Sequence, residues 1–301
     1  MGQLPGSASQ FEPGLRYKYS GGGTTISQLM LQDVSGRAYA EYMYKEVLQP
    51  LGMTMSSYAQ PTLPQSEPYL ATGYGFSGQP VPGNYHLYPE QAAAALWSNA
   101  EDMARYIIAT QRSLQGEPSA VLDTAFTRLR LTPYIDSNAA LGVFISNKGG
   151  RSYFGHNGSN AGFQSVYTGS MQGGDGVVIF VNSDNGRILQ EIVNSVAKVY
   201  GWAGYHQPEV RKLVLLTPAM INTYTGNYLV ETDSIRIHQN ASQLILSINN
   251  QQRFKMYFTA PGSFFTKELP MRFEFDKDAG GSVTGFHFEQ YGKKVPVKKL
   301  D

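Results

Sequence analysis

The hydrophobic period changes along this chain, and that change limits what it can fold into. Between residues 24 and 48 apolar side chains recur at helical spacing, first Ile26, Leu29, Met30 and Val34, then Tyr39, Tyr42, Met43 and Val47. From residue 141 the apolar runs shorten to strand-like segments separated by Gly and Asn: Leu141-Gly-Val-Phe-Ile145, Tyr153-Phe154, Gln164-Ser-Val-Tyr167 and Val177-Val-Ile-Phe-Val181. A helical stripe returns in Ile188, Ile192, Val193, Val196 and Val199. Beyond residue 228 strict alternation takes over, in Ile235/Ile237, Leu244/Leu246/Ile248, Phe254/Met256/Phe258, Phe273/Phe275 and Phe286/Phe288. A chain that uses both periods in blocks is neither a helical bundle nor an all-β sandwich. It predicts an α+β protein.

The punctuation sharpens this division. Gly36 is placed to end the first helix and Pro50 the second. Residues 59–89 carry Pro61, Pro64, Pro68, Pro80 and Pro82 and predict an irregular surface segment, in which His86 and Tyr88 either border a cleft or serve loop packing. Ser98 or Asn99 can cap a helix that opens with Glu101 and Asp102 and turns Met103, Tyr106, Ile107 and Ile108 inward. A further helix is expected over residues 121–129. The strands of 141–181 predict an antiparallel meander, with the helix of 188–200 laid across it. At 301 residues two domains are expected, one over 1–205 and one over 215–301. The second, with strands every 8–12 residues and one short helix at 217–224, predicts a small all-β barrel, lipocalin-like, either filled or hollow.

Composition excludes several classes of function. A formal charge of +1 offers no field for nucleic acid or anionic membrane, and the lysines at 293, 294, 298 and 299 form blocks too short to change that. Without cysteine there is no disulfide or thiolate. The five histidines, at 86, 156, 206, 238 and 287, lack metal-ligand spacing, so neither a metal nor another cofactor is expected. No apolar run reaches the roughly 20 residues of a membrane span, and Met1-Gly-Gln-Leu-Pro5 lacks the basic start and apolar stretch of a signal peptide. Residues 3–14 read as a loop leading straight into a motif, as though a preceding element were missing.

That motif is Phe11-Glu-Pro-Gly-Leu-Arg-Tyr-Lys-Tyr19-Ser20-Gly21-Gly-Gly23, followed by Val34-Ser-Gly36, Tyr42-Met43 and Pro50-Leu-Gly-Met53. In order and spacing over about fifty residues it resembles the serine β-lactamase, penicillin-binding and esterase family. A second landmark, Phe154-Gly-His156-Asn157-Gly158-Ser159-Asn160-Ala-Gly162-Phe163, is similar to the family's strand bearing Lys-Thr-Gly or His-x-Gly. The resemblance implies a β-lactamase/transpeptidase-like antiparallel sheet with flanking helices, here incomplete. It implies catalytic positions for Tyr19 and His156, and an oxyanion-hole amide at Ser159 in a strand where Gly158 lets substrate and backbone come close. Taken alone, His156 would be a hydrogen-bonded core histidine and Tyr19 a buried aromatic; the surrounding motifs outweigh those readings.

The mechanism implied by the family is acyl transfer, in which the Ser of Ser-x-x-Lys attacks a carbonyl while the Lys and the Tyr move the proton. The partner is then a small-molecule, peptide or ester substrate. Two departures stand out. Gly21 occupies the place of the family's Asn, which disfavours a β-lactamase and favours an esterase or peptidase. No Ser-x-x-Lys precedes Tyr19; the one such string, Ser195-Val-Ala-Lys198, follows the His156 strand and is expected to be structural. Gly21-Gly22-Gly23 is expected to form a tight turn at the site. Two functions follow: a serine hydrolase whose nucleophile lies outside this chain, which alone is inactive, or a non-catalytic ligand- or protein-binding module with a relic cleft. A core missing its first strand and helix would be uncovered, which predicts homo-oligomers or aggregation.

Overall fold

The computed structural model describes residues 11–300 apart from 242, 251, 270, 291 and 292. The expected start of the 3–14 loop therefore lies mostly outside the described residues. The chain forms two compact units, Met1–Gln207 and Pro208–Asp301.

In the first unit, helix α1 (Gly21–Ser35) is capped by Ser20, whose Oγ accepts from the Gly23 amide at 3.0 Å, and it stops at Gly36 in the left-handed region, φ 66°. Gly21, Gly22 and Gly23 are thus the first turn of a helix, which corrects the expected tight turn. α1 also overturns its expected packing, for Ile26, Leu29, Met30 and Val34 are 57–87% exposed and no residue of the helix is buried. Its inner side is largely polar: the Gln28 carboxamide accepts from Ala92 N at 2.9 Å. The second helix begins as α2 (Tyr39–Met43) and ends in a wider π turn (Tyr44–Leu48) before Pro50, burying Tyr39 and Leu48.

α3 (Gln91–Ala94) is a single turn after the irregular segment. α4 (Ala100–Leu114) starts where expected, with Asn99 Oδ1 accepting from Asp102 N at 2.8 Å. Met103 and Ile107 point inward, but Ile108 is 51% exposed, because a helix face centred on 103 and 107 turns position 108 outward. α5 (Thr124–Arg130) is capped by Asp123.

The four strands β1 (Phe144–Lys148), β2 (Arg151–Asn160), β3 (Phe163–Ser170) and β4 (Gly176–Val181) form the expected antiparallel meander in that order. Gly149 and Gly150, both at positive φ (57° and 76°), supply the two-residue turn between β1 and β2 that only such backbones allow. Because side chains alternate across a sheet, its two faces bury different partners. Phe154 packs with Ile107, Leu131, Val143 and Ile145 on the α4 face. Tyr153 packs with Ile179, Trp202, Tyr205 and, on α6 (Ile188–Val199), Val193 and Ala197 on the other.

In the second unit α7 (Pro218–Tyr224) precedes nine strands: β5 (Gly226–Val230), β6 (Asp233–Asn240), β7 (Gln243–Ile248), β8 (Gln252–Lys255), β9 (Tyr257–Ala260), β10 (Ser263–Phe265), β11 (Arg272–Lys277), β12 (Val283–Gln290) and β13 (Lys293–Lys299). They form one antiparallel sheet whose two ends are β8 and β9. Only Met256 separates those two strands, so the chain itself joins one end of the sheet to the other. The result is a nearly closed, barrel-shaped sheet. Its interior is occupied by side chains: Tyr224, Tyr228, Phe254, Phe264 and Phe286 are at most 1% exposed, and rings such as Tyr224 and Phe275 pack at 4.3 Å. The inward positions of the alternating pattern thus build a filled core, which removes the hollow alternative left open by the sequence.

Candidate active site

Tyr19 is held in an extended stretch just before the cap of α1, and its phenol is 62% exposed. Its ring lies 6.0 Å from that of His156 and stacks at 6.3 Å on Phe144, which in turn stacks at 5.4 Å on His156. Tyr17 meets Phe144 edge-on at 6.4 Å. The pKa of Tyr17 is raised, by burial first and then by the neighbouring Tyr19 and Asp136. Tyr17 and Tyr19 are thus brought together with Phe144 and His156, which lie 125 or more positions further along the chain. Phe144 was not singled out from the sequence; as the first residue of β1 it carried only a strand signal.

The register of β2 explains how its second half is exposed. The hairpins closed by Lys148/Arg151 and by Asn160/Phe163 both have two-residue loops. In an antiparallel ladder, bonded pairs alternate, so Arg151, Tyr153 and Gly155 direct their backbone groups to β1, and Phe154, His156, Gly158 and Asn160 direct theirs to β3. β1 ends opposite Gly155. The amides of Asn157 and Ser159 therefore face an edge that no strand among the described residues pairs with.

His156 leans over that edge, with Nδ1 2.5 Å from the carbonyl oxygen of Asn157. A carbonyl only accepts, so Nδ1 is the donor and, in the neutral ring, Nε2 is left as the acceptor. The Ser159 side chain turns to Gln164, whose Nε2 donates to its Oγ at 2.7 Å. At Gly158 a Cβ would lie 2.3 Å from Ser165 Oγ; at Gly155 it would lie 2.4 Å from the backbone oxygen of Tyr167. The need for glycine in this strand thus comes first from its neighbour β3. Gly21, in the first turn of α1, carries no side chain toward the cluster.

The long segment 59–89 is anchored on the tip of the β2–β3 hairpin. Tyr88 OH accepts from Ala161 N at 3.1 Å, Tyr74 N donates to Gly162 O at 3.3 Å, and Asn160 Nδ2 donates to Ala94 O at 2.7 Å. Tyr88 is thus a packing residue at the end of the strand. Ser195 and Lys198 lie on α6, against the opposite face of the sheet from the Phe154 core, and both are exposed. Among the described residues no cluster of His, Asp and Glu could hold a metal ion, and no helix is long and apolar enough to cross a membrane.

Residues 3–193 match the Beta-lactamase family model. A curated relative, the putative penicillin-binding protein PbpX of Bacillus subtilis (strain 168), is 24% identical over 190 residues, 62% of this chain and 44% of that protein. The chain therefore spans less than half the length of that relative. The octameric penicillin-binding protein homologue from Pyrococcus abyssi matches 96% of this chain and 66% of its own at a TM-score of 0.57 and 18% identity. The penicillin binding protein from Bacillus halodurans matches 64% of this chain and 59% of its own at a TM-score of 0.54 and 23% identity. Both likenesses concern the fold, a β-lactamase/transpeptidase-like arrangement of helices and antiparallel sheet. With the family model covering well over half of its residues, this chain belongs to the β-lactamase family.

Proposed function

We propose that this chain contributes two walls of the acyl-transfer site of a serine hydrolase acting on a peptide, ester or amide, and that the nucleophile comes from a segment outside it. The observation that carries this reading is the juxtaposition of the Tyr19 and His156 rings, 6.0 Å apart, at the open edge of β2. Tyr19 would relay the proton of the attacking hydroxyl. Since a tyrosine ordinarily titrates near 10, it needs a cation beside it to act as a base, and the Lys of the family's Ser-x-x-Lys would be that cation. The Nε2 acceptor of His156 would orient substrate or pass a proton, and the amides of Ser159 and Asn157 would donate to the developing oxyanion. Gly21 leaves the acyl side chain without the family's amide contact, which favours an ester or peptide over a β-lactam.

In this reading the hydrolase part is residues 1–205 and is incomplete. The outward apolar residues of α1 support that, because a helix that turns Ile26, Leu29, Met30 and Val34 to water is built to be covered. The second part, 215–301, would be a lipocalin-like barrel with a structural role. Labelling with a fluorophosphonate tests the proposal. This chain should remain unlabelled, while a longer protein containing it should be phosphonylated, with loss of fluoride, at a serine preceding the Tyr19 motif, and that labelling should be lost in Tyr19→Phe. Phosphonylation of this chain at one of its own serines would overturn it.

A further inference from the structure

The irregular segment 59–89 forms an open cleft of about 590 Å³ from its own residues, and the site described above makes no use of it. One wall is Pro61, Thr62 and a short 3₁₀ turn (Pro64–Tyr69) that carries Glu67; the other is Tyr85 and Leu87. The two walls are tied to each other. Tyr88 N donates to Gln60 Oε1 at 3.2 Å, and the Tyr85 hydroxyl reaches across to Thr62 and Glu67. The Tyr85 ring is held in turn by Trp97, which it meets edge-on at 5.2 Å. Prolines at 61 and 64 restrict the backbone of the first wall, so little has to be ordered when a ligand enters.

The polar groups of the cleft specify what it takes. Tyr85 OH donates to Glu67 Oε2 at 3.1 Å and lies 3.3 Å from Thr62 Oγ1. A phenol has one proton, so with that proton given to the carboxylate the Thr62 hydroxyl is the donor of the second contact. Both hydroxyl protons of the lining are then spent, and its side chains offer only acceptors. Their charge is not neutralised either. Glu67 forms no ion pair with another described residue, and between Glu46 and Glu101 the sequence contains no lysine or arginine. A carboxylate beside two prolines, a leucine and a tyrosine calls for a cation that brings N–H donors on an apolar stem. An anion is repelled, and a purely apolar ligand leaves the acceptors unpaired.

We propose that this cleft binds a primary ammonium group carried on an apolar stem, either a lysine-type side chain or the free amine of an amino-acid amide. The ammonium sits on Glu67 and the stem lies against Pro61, Pro64 and Leu87. Every group the site uses belongs to this chain, so it stands independently of the acyl-transfer reading.

NMR titration of the full chain with n-hexylammonium, followed at the Trp97 indole and at the amides of Thr62 and Tyr85, reads this directly. Saturable shifts at these groups are expected, with a dissociation constant of about 1 mM. n-Hexanol, the same stem without the charge, should bind about fivefold more weakly, the size of an exposed ion pair. Glu67→Gln should cost hexylammonium about the same factor and leave hexanol unaffected. Nα-acetyl-lysine methylamide and leucinamide tell the two sources of the amine apart, the tighter binder naming the source. The comparison of hexylammonium with hexanol is made on the parent protein, so it holds even if the variant does not fold. No saturable shift with hexylammonium, hexanol binding as tightly, or a folded Glu67→Gln protein that binds hexylammonium as well as the parent would each overturn the proposal.

Discussion

Tyr19 and His156 lie with ring centroids 6.0 Å apart, and Phe144 stacks on both. Phe144 is 37% exposed, so burial of the rest of its side chain stabilises it alongside the ring contacts, each about 0.5–1.5 kcal/mol. Phe144→Ala is therefore expected to cost about 1–2 kcal/mol of stability and to free the imidazole. The ring-proton resonances of His156 should move downfield as the ring current of Phe144 is lost. Unchanged resonances would mean that Phe144 does not stack on the His156 ring.

The two glycines of β2 separate two kinds of crowding. A Cβ at Gly155 meets a backbone oxygen, which cannot move without breaking the ladder, whereas at Gly158 it meets the hydroxyl of Ser165, which can rotate or be removed. Gly155→Ala should destabilise by about 2–4 kcal/mol. Gly158→Ala should cost less, and Ser165→Ala should recover most of that cost in the double variant. Urea denaturation of the four proteins decides it; equal and unrecovered losses would contradict the distinction.

Much of this architecture was legible in the sequence, and what was not has physical causes. The period change located the meander and α6, because alternation records which strand face meets a core. It could not say whether a buried partner is present in the same chain. Ile26, Leu29, Met30 and Val34 have the spacing of a packed face, yet face outward. The motifs singled out Tyr19 and His156 as candidates by local pattern, and their rings lie 6.0 Å apart. Phe144 escaped notice because its contact depends on where β1 stops against β2, a register that no local string encodes. Gly21 to Gly23 were expected to turn, and the cap offered by Ser20 wound them into a helix instead.

Asp102 ties the start of α4 to the segment after the second helix. Only 3% exposed, it accepts from Met55 N at 2.9 Å and from Ser56 Oγ at 2.7 Å while lying in the first turn of the helix, where a carboxylate is favoured. Asp102→Ala removes the acceptor of Met55 N and of Ser56 Oγ, the latter keeping Ser98 Oγ at 2.8 Å, and should cost about 1–3 kcal/mol. Asp102→Asn keeps an acceptor and should cost about half as much. A loss below about 1 kcal/mol for the alanine variant would show that water replaces the carboxylate.

The packed tyrosines of the first unit set its response to alkali. Burial raises Tyr39 to about 12. Burial likewise raises Tyr58, with Tyr39 and Tyr106 adding to it, and Tyr167, with Tyr106 adding to it. An unfolded tyrosine releases its proton near 10, so above that pH the unfolded state binds fewer protons than the folded one and stability falls. Below 10 both states hold the proton and these groups leave stability flat. Lys148, lowered by burial, acts in the opposite sense, since its buried charge is relieved as pH rises toward 10.5, and it offsets part of the loss. The urea midpoint should therefore hold steady to about pH 9.5 and drop steeply between about 10 and 12. Tyr58→Phe gives up the hydrogen bond with Tyr39, about 1 kcal/mol at neutral pH, but should make that alkaline drop shallower, with one fewer phenol titrating late at 295 nm. A drop of unchanged steepness in the variant would remove Tyr58 from this account.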